Sequence, residues 1–403
     1  MQEQPNPSPS IRCGSIYIRV SHMGHAIAKV SSSPAYSAPR SRRSAPANSR
    51  PPSPTSNFNL PRRPASVASV LRLVLAIHLL LGLSGPLAAG PVPTATRRAI
   101  RPDPAPETRY TDLIAWGRSR GFGAKSSAGS DELKLYTKSQ ELVFKANTKK
   151  VLFDETDVRL TLPIRKVGEG FQVSKRDLET LLNPLLAPPR RPARQPIRTI
   201  ALNAGHGGKD PGNTEGRRQE KYYTLLLSGE IRRRLERAGL RVVLVRSTDT
   251  FIELEDRPAA ATKAKADLYL SVHFNAFDGP GSADVGGVET YCLTPAGASS
   301  TNDTGNHGGG WNAGNRFDHD NIVLGHQVHR AIVQGTDLSD RGLRRARFKE
   351  LTLLDMPGIL VEGGYMTNAH DASTIYSVDG RSTLARAIAD GVLAYKRLVE
   401  RTP

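Results

Sequence analysis

Two histidines sit in settings that could do chemistry: His206 in Gly205-His206-Gly207-Gly208 and His273 in Ser271-Val272-His273-Phe274-Asn275. Each closely follows an apolar, strand-like run, so the spacing predicts that both imidazoles reach one edge of a sheet. Glu220, at the start of the helical stretch after His206, offers a third donor. Two neutral imidazoles and one carboxylate suit zinc with an open coordination position, which is what hydrolysis of a resistant bond requires. Taken singly, a histidine in a glycine turn is a solvent-facing loop residue, and a strand-end histidine is a hydrogen-bonded one; the three donors together read as a metal site. Glutamates are ordinarily surface charges, yet Glu362 follows Ile359-Leu360-Val361 and precedes two glycines, which argues for a carboxylate held at a strand end. Asn275 and Arg341 stay open between substrate contact and local backbone capping. His307, His319, His326 and His329 are not expected to be ligands.

The elements that would position these groups follow from periodicity. Residues 198–403 alternate strands with helices, which predicts an α/β domain: a twisted, mostly parallel sheet with helices on both faces. Thr199 to Leu202 reads as the first strand, and Leu227, Ile231, Leu235 and Ala238 form one stripe on the helix after the glycine loop. Further strands are expected over Arg241 to Arg246, Asp267 to Val272, Val288 to Leu293 and Gly358 to Val361, with a closing helix from Thr383 to Val399. Ligands of such sheets gather outside the carboxyl ends of strands, and His206, His273 and Glu362 are expected there. Thr294 to Asn321, rich in Gly, Asn and Asp and carrying Trp311 and Phe317, is too long for a structureless loop without a role. It is expected to be a pliable substrate rim, since it has no apolar period.

The chain has 403 residues, of which 38% are hydrophobic, room for two or three domains with real cores. Residues 1–66, crowded with Pro, Ser and Arg, read as disordered or as an extension upstream of the true translation start. Residues 67–89 read as a signal peptide: the apolar run Leu73 to Leu83 follows Arg62, Arg63 and Arg72 and precedes Leu87-Ala88-Ala89-Gly90, with cleavage expected after Ala89. The run is shorter than the roughly 20 residues that span a bilayer, and an uncleaved anchor is the alternative. Export implies the periplasm or cell envelope. It also leaves Cys292 as the one cysteine, a buried inert thiol with no intrachain disulfide. The formal charge of +18 is inflated by the leader, but Arg190, Arg191, Arg194, Arg198 and Arg232-Arg233-Arg234 keep the rest basic. An anionic envelope polymer or membrane surface is expected as partner, not nucleic acid, with a solvated helix face as the plainer alternative; a monomer is expected.

Residues 90–107 read as a Pro-rich tether, 108–187 as a small α+β module, and 188–197, with Pro188-Pro189-Arg190-Arg191-Pro192, as a linker. The module shows short strand-like runs at Leu133 to Tyr136, Glu141 to Phe144 and Val158 to Leu162, then a helical segment from Lys175 to Leu186. With its tail Val173-Ser174-Lys175-Arg176-Asp177-Leu178 it resembles the stalk-like domain of copper amine oxidases and of some bacterial cell-wall enzymes, which implies a wall-binding or spacer role.

Residues 198–403 resemble the zinc-dependent N-acetylmuramoyl-L-alanine amidases that split peptidoglycan, the amidase type 3 family. The matching parts come in order: Gly205-His206-Gly207-Gly208-Lys209-Asp210-Pro211-Gly212, Glu220-Lys221, Thr248-Asp249 with Leu254 and Arg257, Ala266-Asp267, the His273 segment, Gly287-Val288-Glu289-Thr290, Asp340-Arg341-Gly342, and Met356-Pro357 before Val361-Glu362-Gly363-Gly364-Tyr365-Met366-Thr367-Asn368. The resemblance implies that His206, Glu220 and His273 bind one zinc ion and that Glu362 is the catalytic glutamate, moving a proton from water to the leaving amine. The family's usual aspartate two residues before the first glycine is Asn203 here, with Ala204 where proline is common; neither is expected to bind metal. The implied reaction cuts the amide between the lactyl group of N-acetylmuramic acid and the first L-alanine of the stem peptide, in wall remodelling or daughter-cell separation. Some relatives plug the site with a helix until an activator removes it, so an activator protein is a candidate partner beside peptidoglycan. The alternatives are a noncatalytic peptidoglycan-binding protein and a zinc endopeptidase on the stem peptide; the lack of a His-Glu-x-x-His helix counts against the latter.

Overall fold

The structure is a computed structural model that describes residues 109–302 and 309–400. The readings placed on 1–66, 67–89 and 90–107 fall outside the described residues. Sixteen strands occur among them: β1 (Tyr110–Asp112), β2 (Gly123–Lys125), β3 (Glu132–Tyr136), β4 (Glu141–Lys145), β5 (Lys150–Phe153), β6 (Thr156–Arg159), β7 (Arg165–Val167), β8 (Gly170–Ser174), β9 (Thr199–Ala204), β10 (Thr214–Glu215), β11 (Arg218–Gln219), β12 (Arg241–Leu244), β13 (Leu268–Asn275), β14 (Val288–Leu293), β15 (Asp340–Ala346) and β16 (Gly358–Tyr365). The helices are α1 (Leu113–Ser119), α2 (Glu220–Arg237), α3 (Asp256–Lys263), α4 (Asp318–Gly335), α5 (Lys349–Thr352), α6 (Ala369–Tyr376) and α7 (Val378–Val399), with an irregular helix over residues 175–186.

Eleven strands form one sheet in the order β12-β9-β13-β16-β14-β15-β6-β5-β4-β3-β2. Its C-terminal half is mostly parallel, as expected: only the β14–β16 pair runs antiparallel. Every residue of β9, β13, β14 and β16 is buried, which is why these strands read as near-continuous apolar runs. One face carries Leu202, Leu270, Val272, Phe274 and Val361 against Leu227, Ile231 and Ile388 of α2 and α7. The other carries Ala201, Tyr269, Tyr291 and Leu360 against Ala261 of α3 and Phe348, Leu351 and Met356 in and around α5. β3 and β4 instead alternate, burying Leu133, Leu135, Leu142 and Phe144 and wetting the opposite side. On α2 the stripe ends at Leu235; Ala238 is exposed past the last turn.

Residues 108–187 and 198–403, read as separate units, are joined edge to edge. Val158 of β6 pairs with Leu343 of β15, and the Asp157 amide donates to Asp340 at 2.8 Å. Pro184 has no N–H to give the Thr180 carbonyl one helical turn back. Arg345 of β15 supplies the missing donor, with Nη2 2.6 Å from that oxygen and Nη1 3.0 Å from the Thr180 hydroxyl.

Strand direction corrects one expectation. β14 runs against β16, so the chain leaves β14 at the end of the sheet opposite to His273 and Glu362. The described residues of the 294–321 stretch therefore line the far end: Asn315 donates to the Thr294 carbonyl at 3.0 Å, Thr301 to that of Arg345 at 2.8 Å, and Ala313–Phe317 makes a 3-10 turn leading into α4. They do not rim the histidines. The 276–287 connection stands at the site end, where Gly286 packs against Asn368. Cys292 lies on the inner length of β14, 1% exposed, its thiol donating to the Asn321 carbonyl at 3.0 Å.

Candidate active site

β9 delivers the chain through Gly205 into His206, whose backbone is left-handed with φ 61°. Two buried arginines hold this turn. Arg246 donates to the carbonyls of Ala204 at 2.9 Å, Gly205 at 2.7 Å and Lys221 at 2.7 Å. Arg257 donates to the His206 carbonyl at 3.2 Å and to Asn203 Oδ1 at 3.0 Å. Gly205 lies flat against the His273 ring, leaving no room for a side chain, and a Cβ on Gly212 would stand 2.6 Å from both Glu220 Oε2 and His206 Cδ2. The glycines of this loop are thus what lets the three donors approach.

Glu220 begins α2, where the helix N-terminus favours negative charge. Its Oε2 lies 3.0 Å from His206 Nε2 and its Oε1 3.0 Å from His273 Nδ1. Backbone amides of Asn213 and Phe274 also donate to it, at 2.9 and 3.1 Å. One donor atom from each of His206, Glu220 and His273 lies within 4.8 Å of the others, and all three residues are buried. The structure thus brings the expected ligand set together. His206 Nδ1, on the outer side, faces Asp210 at 2.8 Å.

Electrostatics say what the cluster is built around. Burial works to lower the His206 pKa, but the Glu220 charge and hydrogen bonds to Asp210 and Glu220 override it, raising it to about 10. Burial likewise opposes ionisation of Glu220, yet the His206 charge holds its pKa well below the carboxylate range. A buried carboxylate between two imidazoles attracts positive charge, and the residues fit a metal with two nitrogen donors and one oxygen donor.

His273 and Glu362 lie inside their strands, not beyond them, as register partners on β13 and β16. Glu362 is 4% exposed, and its Oε2 is buried without a hydrogen-bond partner. Burial, reinforced by the charges of Glu220 and Glu289, holds its pKa well above the ordinary carboxylate value. A carboxyl group kept dry beside a candidate cation site is equipped to hold and return a proton.

Asn275 and Arg341 converge on Glu289, which faces Glu362 across the β14–β16 pair. Asn275 Nδ2 donates to it at 3.4 Å and Arg341 Nε at 2.9 Å, beside Tyr291 Oη at 2.7 Å and Tyr365 Oη at 3.1 Å. Glu289 had no role assigned from sequence, only a place in the matching Gly287-Val288-Glu289-Thr290 segment; its signal is the one charged residue in the Val288–Leu293 strand. Glu350 was missed too. Of the histidines set aside, His326 is buried, and burial pushes its pKa down to about 3, while His329 bonds Asp340 at 2.9 Å; His307 lies outside the described residues.

Comparison with known proteins follows the same residues. A family described as N-acetylmuramoyl-L-alanine amidase matches residues 200–394. The chain is 30% identical over 231 residues to the N-acetylmuramoyl-L-alanine amidase LytC of Bacillus subtilis (strain 168), covering 57% of this chain and 40% of LytC. It is 30% identical over 205 residues to the Bacillus subtilis protein YqiI, covering 50% of this chain and 88% of YqiI. Among solved structures, the N-acetylmuramoyl-L-alanine amidase AmiC2 of Nostoc punctiforme matches with 32% identity and a TM-score of 0.42, over 49% of this chain and 97% of AmiC2. The chain thus spans less than half of LytC and most of YqiI and AmiC2. With the matched segment holding every residue of the His206, Glu220, His273 and Glu362 cluster, the chain belongs to the N-acetylmuramoyl-L-alanine amidase family.

Proposed function

We propose that this chain is a zinc hydrolase that cuts the amide between the lactyl group of N-acetylmuramic acid and the first L-alanine of the peptidoglycan stem peptide. The observation that carries the reading is Glu362: a buried carboxylate with one unpartnered oxygen and a raised pKa, on the strand next to a cluster of two histidines and a glutamate. His206, Glu220 and His273 would hold the ion. Zinc, when bound, acidifies water to a pKa near 7 and polarises a carbonyl. Glu362 takes a proton from the attacking water and passes it to the leaving amine of the peptide. Asp210 fixes the His206 ring by accepting from Nδ1, as outer carboxylates do for ligand histidines. Glu289 adds its charge to the burial and the Glu220 charge that raise the Glu362 pKa, and gathers Asn275 and Arg341, whose guanidinium sits 5.0 Å over the Tyr365 ring at the site end of β15.

The leader read at 67–89 supports action outside the cytoplasm, at the cell envelope, where the substrate lies. Digestion of peptidoglycan by residues 90–403, with and without chelator and beside Glu362→Ala, tests the proposal by mass spectrometry of products. Stem peptides with a free N-terminal alanine, lost on chelation and in the variant, are expected. Cuts within the stem peptide, or none by folded zinc-loaded protein, would overturn it.

A further inference from the structure

We infer that Glu350, on the short helix α5, is a positioning residue for His273, matched to an asparagine at 203. The inference rests on the zinc reading above. Glu350 is 4% exposed and lies under the site, on the sheet face that also carries Tyr269 and Tyr291. Its Oε2 accepts from Tyr269 Oη at 2.6 Å and from Asn203 Nδ2 at 3.0 Å. Its Oε1 points at His273 Nε2 from 3.8 Å, ion-pair range and longer than a hydrogen bond.

The tautomer of His273 gives this placement its meaning. The ring turns Nδ1 to Glu220. A neutral imidazole that gives Nδ1 to a metal must carry its proton on Nε2, and the carboxylate it then faces is Glu350. Asp210 stands to His206 as Glu350 stands to His273, with the roles of the two ring nitrogens exchanged. Each histidine thus has a carboxylate on its outer side, Asp210 hydrogen-bonded at 2.8 Å and Glu350 in ion-pair range at 3.8 Å.

Asn203 explains how a second buried negative charge is tolerated. Its Oδ1 accepts from Arg257 Nη1 at 3.0 Å while its Nδ2 donates to Glu350, and to Ser271 Oγ at 3.0 Å. An amide carries its acceptor and its donor on two separate atoms, so one side chain can face Arg257 and Glu350 together. An aspartate would accept from Arg257 equally well but would set a carboxylate oxygen against Glu350. Arg257, Asn203, Glu350 and His273 therefore form a chain from a buried cation, through an amide, to a buried anion, to a ligand histidine, and Arg257 also holds the His206 carbonyl.

The test uses zinc affinity by chelator competition and the melting temperature of metal-free protein, both independent of turnover. Glu350→Gln is expected to weaken zinc binding about tenfold or more. Asn203→Asp alone is expected to lower the metal-free melting temperature. The double variant, Asn203→Asp with Glu350→Gln, puts the acid and the amide in exchanged places; it is expected to recover the melting temperature but not the zinc affinity, because the charge facing His273 has moved. Zinc affinity within about twofold of the parent in Glu350→Gln would overturn the inference and leave the amidase reading standing, since a tenfold loss is the usual cost of a lost outer partner. A parent protein that binds no zinc would overturn both; one that binds zinc, responds to Glu350→Gln and cleaves no peptidoglycan would overturn the amidase reading alone.

Discussion

At the scale of single residues, the chemistry turns on protons shared by buried groups. Glu362→Gln keeps the shape of the side chain and removes the proposed base; kcat on peptidoglycan is expected to fall by about 10²–10⁴ while zinc content is unchanged, which turnover and metal analysis of one preparation would check. The raised His206 pKa has a sign that calorimetry can read. A histidine stabilised in its charged form contributes stability in full below its unfolded value near 6.5, and that contribution is lost as pH rises through about 10. Chelator-treated protein should therefore lose melting temperature across that window, whereas zinc, which needs the neutral ring, should bind more tightly as pH rises and release protons on binding. An affinity flat from about pH 6 to 9 would contradict this linkage. The three proposed donors were legible in sequence because His206 sits in a glycine loop, Glu220 opens a helix and His273 follows an apolar run. The roles of Glu289 and Glu350 were not: Glu350, beside Lys349, reads as an ordinary surface charge, and the residues that hold each carboxylate, Arg341 for Glu289 and Asn203 and Tyr269 for Glu350, are remote in sequence.

At the scale of elements, the glycine loop and the strand directions decide where these residues meet. Gly205→Ala would press a methyl group into the His273 ring, and the expected outcome is loss of zinc from a folded protein, seen by metal analysis alongside circular dichroism. The apolar periods of β9, β13 and β16 were readable because both faces of those strands are buried. β15 was not read as a strand: its Arg344 and Arg345 break the apolar pattern, yet they are absorbed by Glu289 at 3.3 Å and by Thr180. Nor does composition encode direction, so the reversal of β14 was invisible, and with it the far-end position of the 294–321 stretch. Trp311, 59% exposed at that end, is accordingly not expected to matter: Trp311→Ala should change kcat/KM by less than about twofold, as surface substitutions do. A tenfold loss would return that stretch to the substrate.

At the scale of the whole described molecule, the shared sheet makes residues 109–187 a structural extension of the catalytic part. Arg345→Ala leaves the Thr180 carbonyl without its donor and should cost about 1–3 kcal/mol, appearing as a lower midpoint of one cooperative transition for residues 109–403. Two separate transitions would mean that the seam at β6 and β15 does not couple the halves. A fragment starting at residue 198 would uncover the β15 edge and is expected to self-associate, by light scattering. Sequence reads a Pro-rich joint at 188–197 but could not show that the strands on either side of it share a sheet, because one bridge and a few side-chain bonds leave no periodic trace.

Cys292 turns this architecture into its own gauge. Burial pushes its thiol up to about 12, and β14 runs through the middle of the sheet. In a fragment beginning at residue 109 it is the lone sulfhydryl, so a maleimide added in native buffer can react only during excursions that strip a central strand from its neighbours. The labelling rate would then count those openings molecule by molecule, with no dye, tag or denaturant introduced to watch them.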